Sequence, residues 1–252
     1  MILKKLFSFF FLTLVCLVNA QETKQKDTIT DKNLKFNYKQ LIIPAGLIGY
    51  GIIALDNHEL LGINTQIRTE VYEHIDEKVS IDDFSQYAPA ATVYILNNVG
   101  VDGKNDLKDR SIILGTSYLM VAATVTGLKH ITKVERPDAS SFNSFPSGHT
   151  ATAFAGAEFM WQEYKDVSVW YGISGYLVAS GTGMYRMFNN RHWLTDVAAG
   201  AGIGILSTKV AYWLFPYTNK LFSKKNKNVE SVGILPFYNG KQTGIGMALK
   251  IN

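Results

Sequence analysis

The chain has 252 residues, with Lys+Arg 25 against Asp+Glu 21 and a formal net charge of +4. Apolar residues make up 47% and charged residues 18%, a low charged share for a soluble domain. The weak, dispersed positive charge speaks against nucleic acid. No zinc-type Cys/His cluster and no Gly-rich phosphate loop occurs, and the length suits one domain with a substantial core.

Met1–Ala20 reads as a secretory signal peptide: Lys4 and Lys5, an apolar stretch Leu6–Val18, and small or modest residues before a cut after Ala20. A retained membrane anchor is the competing reading. Cys16 is the sole cysteine, and Val15 before it does not suit a lipoprotein signal. A cleaved product has no disulfide to lean on, so its stability comes from packing or from a bilayer. Residues 21–38 are polar and read as a flexible leader.

Leu41–Leu55 is an apolar run containing Gly46, Gly49 and Gly51. It is shorter than the roughly 20 residues that span a bilayer, and its glycines suit close helix packing. In Asp56–Ser80, Ile63, Ile67, Val71, Ile75 and Val79 recur at four-residue steps. That spacing predicts an amphipathic helix lying on the protein's own core or on a membrane surface. Pro89–Val99 predicts a short helix, and Gly100 and Gly103 break the chain before Arg110. Ser111–Leu128 carries no charge and is the best spanning candidate. Ala151–Tyr164 is helical with Glu158 inside, Val167–Met184 is again uncharged, and Asp196–Phe215 is apolar apart from Asp196 itself and Lys209. Lys220–Lys227 is basic. Ser231–Phe237 and Thr243–Ile251 flank Asn239-Gly240, which predicts a terminal β-hairpin. The organisation expected is a signal peptide at 1–20, a leader at 21–38, a helical domain at 39–218, and a basic linker with a hairpin tail at 219–252. An external site within 129–192 requires an even number of crossings between residues 21 and 129, whereas three candidates lie there. A soluble helical domain outside the inner membrane is the alternative that avoids this conflict.

Three clusters carry chemistry: Lys129 with Arg136, Pro146–His149, and Arg186 with His192 and Asp196. His192 and Asp196 are four apart, which places them on one helix face. A carboxylate there can fix one ring nitrogen and aim the other outward as a nucleophile. Arg186 offers a planar fork for equatorial phosphoryl oxygens, although nearby Arg191 could serve as well. Pro146-Ser147-Gly148-His149 precedes a helix, so the amides of Ser147 and Gly148 stand where an anion binds, with His149 beside it as a proton donor. Lys129 and Arg136 are two helical turns apart and can converge on one anion. Each cluster also has an ordinary reading: a surface His/Asp pair, a solvated arginine, a capped helix, a basic helix end. His130 and Lys133 are assigned to that last class.

In this order and at this spacing the clusters resemble the superfamily of type 2 phosphatidic acid phosphatases, bacterial class A acid phosphatases and vanadium haloperoxidases. The resemblance covers roughly residues 110–215. It implies His192 as the nucleophile that becomes a phosphohistidine, Asp196 as its orienting partner and His149 as the general acid. Lys129, Arg136, Arg186 and the amides of Ser147 and Gly148 would bind phosphate, with no metal and no cofactor. Tyr185 stands where the family often has Ser, which leaves a secondary phosphate contact in doubt. The fold implied is an all-α helical bundle of the phosphatidic acid phosphatase and haloperoxidase type, with or without membrane-spanning helices, plus the C-terminal hairpin. The function implied is hydrolysis of a phosphomonoester or diphosphate, best matched to a lipid because of the uncharged helices. The site would lie outside the cytoplasm, on or in the inner membrane. The alternatives are a soluble periplasmic acid phosphatase, a vanadium-dependent haloperoxidase, or a non-enzymatic membrane-surface protein.

Overall fold

The computed structural model describes residues 36–72, 80–222, 231–238 and 243–250. The expected signal peptide, most of the expected leader, the basic stretch after residue 222 and the Asn239-Gly240 turn lie outside them.

A 3-10 turn at Tyr38–Leu41, capped by Asn37, leads into α1 (Ile42–Ile53). The Asn57 carboxamide accepts the amides of Glu59 and Leu60 and so starts α2 (His58–Tyr72). A five-residue helix, α3 (Ile81–Ser85), and α4 (Ala88–Asn98), which has Pro89 in its first turn, follow. Four long helices complete the bundle. They are α5 (Leu107–Thr132), α6 (Gly148–Tyr164), α7 (Val169–Phe188) and α8 (Leu194–Phe222). Asp106, Ser147 and Ser168 cap the first three of these. Two strands, β1 (Ser231–Tyr238) and β2 (Thr243–Lys250), pair antiparallel with Ser231 opposite Lys250.

Helix α6 is the central element, packed on α4, α5, α7 and α8, and its small residues Ala151, Ala153, Ala155 and Ala157 are fully buried. Two glycines on α8 let its backbone touch α6. A Cβ on Gly200 would lie 2.5 Å from the carbonyl oxygen of Ser147, and one on Gly204 would collide with the carbonyl of Ala151. This approach holds the start of α8 against the start of α6, where the candidate site lies. Gly204→Leu is therefore expected to destabilise the bundle by at least about 1–3 kcal/mol. Thermal unfolding in detergent checks this against Gly62→Ala, whose Cβ would meet nothing within 4 Å.

The core also holds charge. Lys209 on α8 pairs with Glu158 on α6 at 2.7 Å, and Tyr176 donates to the same carboxylate. Glu163 accepts from Tyr212, from the Asn105 side chain and from the Asn105 amide. Buried carboxylates are tolerated because every one of these bonds is made within the bundle.

Among the described residues, Leu107–Thr132 and Leu194–Leu221 are long and apolar enough to cross a membrane. The segments Tyr38–Ile53 and His58–Glu70 qualify only as a pair bent by 96°. Only 22% of the apolar window of α5 is buried. Ile42, Ile43, Ile52 and Ile53 on α1, Leu119 on α5 and Leu177 on α7 are likewise exposed, the pattern of helices facing lipid.

Two expectations change. The uncharged run Val167–Met184 belongs to α7 but is not among the spanning helices. Its Gly172 and Gly175 press on Trp161 and Met160 of α6, while its Leu177 and Met184 stay exposed. The stripe expected in Asp56–Ser80 is not the buried face of α2. Ile63 is 40% exposed while Asn64 is 3% exposed; the polar side chain turns inward because it has a partner, Thr195, to bond. The last three positions of that stripe, Val71, Ile75 and Val79, fall where the structure describes no side chain.

Candidate active site

Chain direction brings the site together. The C-terminal ends of α5 and α7 meet the N-terminal ends of α6 and α8. At the opposite end, Asn105 before α5 bonds Glu163 near the end of α6.

Helix α5 stops at Thr132, where Lys133 takes a left-handed φ of 49°. Lys129 is therefore helical while Arg136 sits in the following loop, and their convergence is not a matter of helical register. The loop returns and presents Asn143 to both: the Lys129 ammonium donates to its backbone carbonyl, and Arg136 Nε to its Oδ1 at 2.8 Å.

His192 lies two residues before α8, not on its face, because Asn190 has a left-handed φ of 56° that turns the chain after α7. Asp196, in the first turn of α8, accepts the Trp193 amide at 2.9 Å and the Ser144 hydroxyl through Oδ2. His192 Nδ1 stands 3.5 Å from both Asp196 Oδ2 and Ser144 Oγ. The imidazole is thus held on its Nδ1 edge by a carboxylate and a hydroxyl together. Burial pushes the His192 pKa down to about 4, against the pull of Asp196; the charges of Lys129 and Arg186 lower it further. Around it, α2 braces the turn: Asn64 donates to Thr195 Oγ1 at 2.9 Å, and Arg68 donates to Asn190 Oδ1 at 2.9 Å.

At the start of α6, the Ser147 hydroxyl meets Thr150 Oγ1 at 2.8 Å, and the Ser147 amide donates to the Asp196 carbonyl at 3.0 Å. The Ser147 amide is consequently not free for an anion, which corrects the expectation that both turn amides stand open. Its bond ties α6 to α8. Gly148 lines a separate, mostly apolar cleft of about 240 Å³ with Tyr87, Tyr118, Val121 and Val125.

A polar cleft of about 300 Å³ is lined by Arg136, His149, Arg186 and Arg191, with Ser80, Asp82, Asp83 and Asn189. Lys129, Ser147, His192 and Asp196 do not line it, and His192 is only 3% exposed. Of the two arginines left open by the sequence, Arg186 is the buried one, at 8% exposure. Arg191 pairs with Asp138 at 3.1 Å. Tyr185 packs edge-on against Phe188 rather than forming a phosphate contact.

The unexpected members are Asp82 and Asp83 of α3. Buried Asp82 pairs with Arg186 Nη1 and accepts Asn189 Nδ2 at 3.0 Å. Asp83 Oδ1 lies 2.8 Å from His149 Nε2. Burial and Arg186 lower the His149 pKa below its ordinary value, opposed by Asp83 and Asp82. Asp82, Asp83 and His149 could in principle hold a metal ion, since their ligand atoms lie within 4.8 Å of one another. Both oxygens of Asp82 are already engaged by Arg186 and Asn189, so the cluster is charge-compensated as it stands. Sequence reading missed Asp82, Asp83, Asn143, Ser144 and Asn189. The only local signal was two adjacent carboxylates after Ser80, in a chain with few charges.

The PAP2 superfamily model matches residues 110–220. A lipid A 1-phosphatase of Porphyromonas gingivalis is 37% identical over 163 residues, covering 61% of this chain and 37% of that protein. A bacitracin transport permease protein BcrC of Bacillus licheniformis is 34% identical over 74 residues, covering 29% of this chain and 34% of that protein. The matched stretches thus span only about a third of each relative's length. Among solved structures, a transmembrane PAP2 type phosphatidylglycerolphosphate phosphatase from Bacillus subtilis superposes with a TM-score of 0.50 at 18% identity. The superposition covers 73% of this chain and 99% of that one, a likeness of fold.

Proposed function

Starting from a chain whose residues 110–220 belong to the PAP2 superfamily, we propose that it is a metal-independent phosphatase acting on a lipid phosphomonoester or diphosphate. The observation that carries the reading is the convergence of Lys129, Arg136, His149, Arg186, His192 and Asp196 at one end of the bundle. His192, held at Nδ1, presents Nε2 to phosphorus. A P–N bond forms, the P–O bond to the leaving group breaks, and the departing oxygen takes the proton of His149. Water then attacks the phosphohistidine, gives its proton to His149, and releases phosphate. Arg136 and Arg186 offset the equatorial charge, with Lys129 as a third cation near the nucleophile.

Three features support a lipid substrate at a membrane. They are the spanning helices α5 and α8, the apolar cleft that opens beside Gly148 between α5 and α6, and the lipid A 1-phosphatase relative. Placement outside the cytoplasm rests on the reading of Met1–Ala20, on the bent pair Tyr38–Ile53 and His58–Glu70 counting as one crossing before α5, and on the basic stretch Lys220–Lys227 after the last helix. Phosphate release by detergent-purified protein, compared on a lipid phosphate and a small soluble phosphomonoester with His192→Ala as blank, tests the reading. Preference for the lipid supports it. Better turnover of the soluble ester points instead to a periplasmic acid phosphatase.

The two histidines set an expected pH range. His192 attacks only when neutral, so activity rises with pH through about 4. His149 donates only when protonated, so activity falls as pH passes its pKa, which lies below 6.5. A bell-shaped kcat/KM profile with an acid optimum is expected from initial rates on a soluble ester.

A further inference from the structure

We propose that α3 supplies positioning residues to the site from outside the family segment: Asp83 holds the His149 imidazole by Nε2 and keeps it protonated, while Asp82 fixes the Arg186 guanidinium. This rests on the phosphatase reading above.

Residues 81–85 lie well before the 110–220 match, yet side-chain bonds pin them to α7 and α6. Asp82 binds Arg186 and Asn189, Ser85 Oγ meets Thr182 Oγ1 at 2.8 Å, and Asp83 reaches His149 at 2.8 Å. Gln86 Nε2 also donates to the Asp83 carbonyl at 2.8 Å, closing the short helix on itself. Five residues do not form a stable helix on their own, so these contacts are what hold α3 in place. Asp82 engages Nη1 of Arg186, and the buried Nε of Arg186 has no partner among the described residues. An arginine held on one nitrogen and unsatisfied on another is oriented for an incoming acceptor.

The same logic applies to His149. The charged groups facing it are Asp82 and Asp83 from α3 and Arg186 from α7, with Arg136 and Arg191 lining the same cleft. Burial and Arg186 work to drive the proton off the imidazole, and Asp83 is the carboxylate in direct contact that opposes them. With Nε2–H donating to Asp83, Nδ1 is the nitrogen left to give its proton to the leaving oxygen.

Asp83 is 54% exposed in its side chain, so Asp83→Asn is expected to fold. In this variant the alkaline limb of kcat/KM is expected to move to lower pH by roughly one unit. Turnover at neutral pH is expected to fall more for an alkyl phosphate than for a nitrophenyl phosphate. Asp83→Glu is expected to restore much of both. The ring resonances of histidine-labelled protein, assigned with His149→Gln, report the same shift without any turnover. An unchanged His149 titration in Asp83→Asn overturns the proposal even if the wild type proves to be a phosphatase. Absence of phosphate release by the wild type on every ester fails the phosphatase reading instead, and the resonance measurement still decides whether Asp83 controls the proton.

Discussion

Replacing His192 by alanine is expected to reduce phosphate release at least about a thousand-fold, because the proposed reaction passes the phosphoryl group through its ring. The fold should survive. His192 precedes α8 rather than lying within it, and Asp196 keeps its bonds to Ser144 and the Trp193 amide without the ring. Rapid-quench labelling with radioactive substrate separates the two halves of this prediction: an acid-labile phosphoenzyme in the wild type and none in the variant. A variant that keeps more than a few per cent of the wild-type rate removes His192 from the nucleophile's role.

Arg186→Ala is expected to cost both activity and stability. Losing one charged donor to the transferring phosphoryl group slows turnover by about 10²–10³-fold. The variant also leaves Asp82, which is 1% exposed, as a buried carboxylate without its cation, at a cost of about 3–5 kcal/mol. The double replacement Arg186→Ala with Asp82→Ala should recover much of the stability and none of the activity. Thermal unfolding in detergent and steady-state rates on one ester measure the two effects separately. Equal stability of the single and double variants would count against the Asp82–Arg186 pair as drawn.

The sequence disclosed the candidate site side chains and hid their supports. Lys129, Arg136, His149, Arg186, His192 and Asp196 stand at fixed short spacings within three clusters, so their joint meaning survives without coordinates. Their partners follow no such rule. Asp82 meets Arg186 across 104 residues and Ser144 meets Asp196 across 52, and chain-local periodicity carries no information about such pairs. The helices were legible from apolar runs, but their ends were not. Lys133 ends α5 in a left-handed turn that no breaker residue announces, and Asn190 does the same after α7. Spacing read as helical register, for Lys129 with Arg136 and for His192 with Asp196, turned out to be loop geometry that reaches the same convergence. In α2 the stripe does not settle on the core, because a hydrogen-bonded asparagine, Asn64, is buried while Ile63 faces outward; of the two surfaces the stripe left open, the core is not the one Ile63 meets.

Glu158 on α6 finds its cation, Lys209, 51 residues later in the chain. A buried carboxylate left without its partner is costly, and α6 carries Glu163 as well. When α6 leaves the ribosome, neither Lys209 nor Tyr212 has yet been made. Both carboxylates of α6 therefore find their full set of partners only once α8 has been made. Assembly of the candidate site is thereby tied to arrival of the last helix, the one that also delivers Asp196.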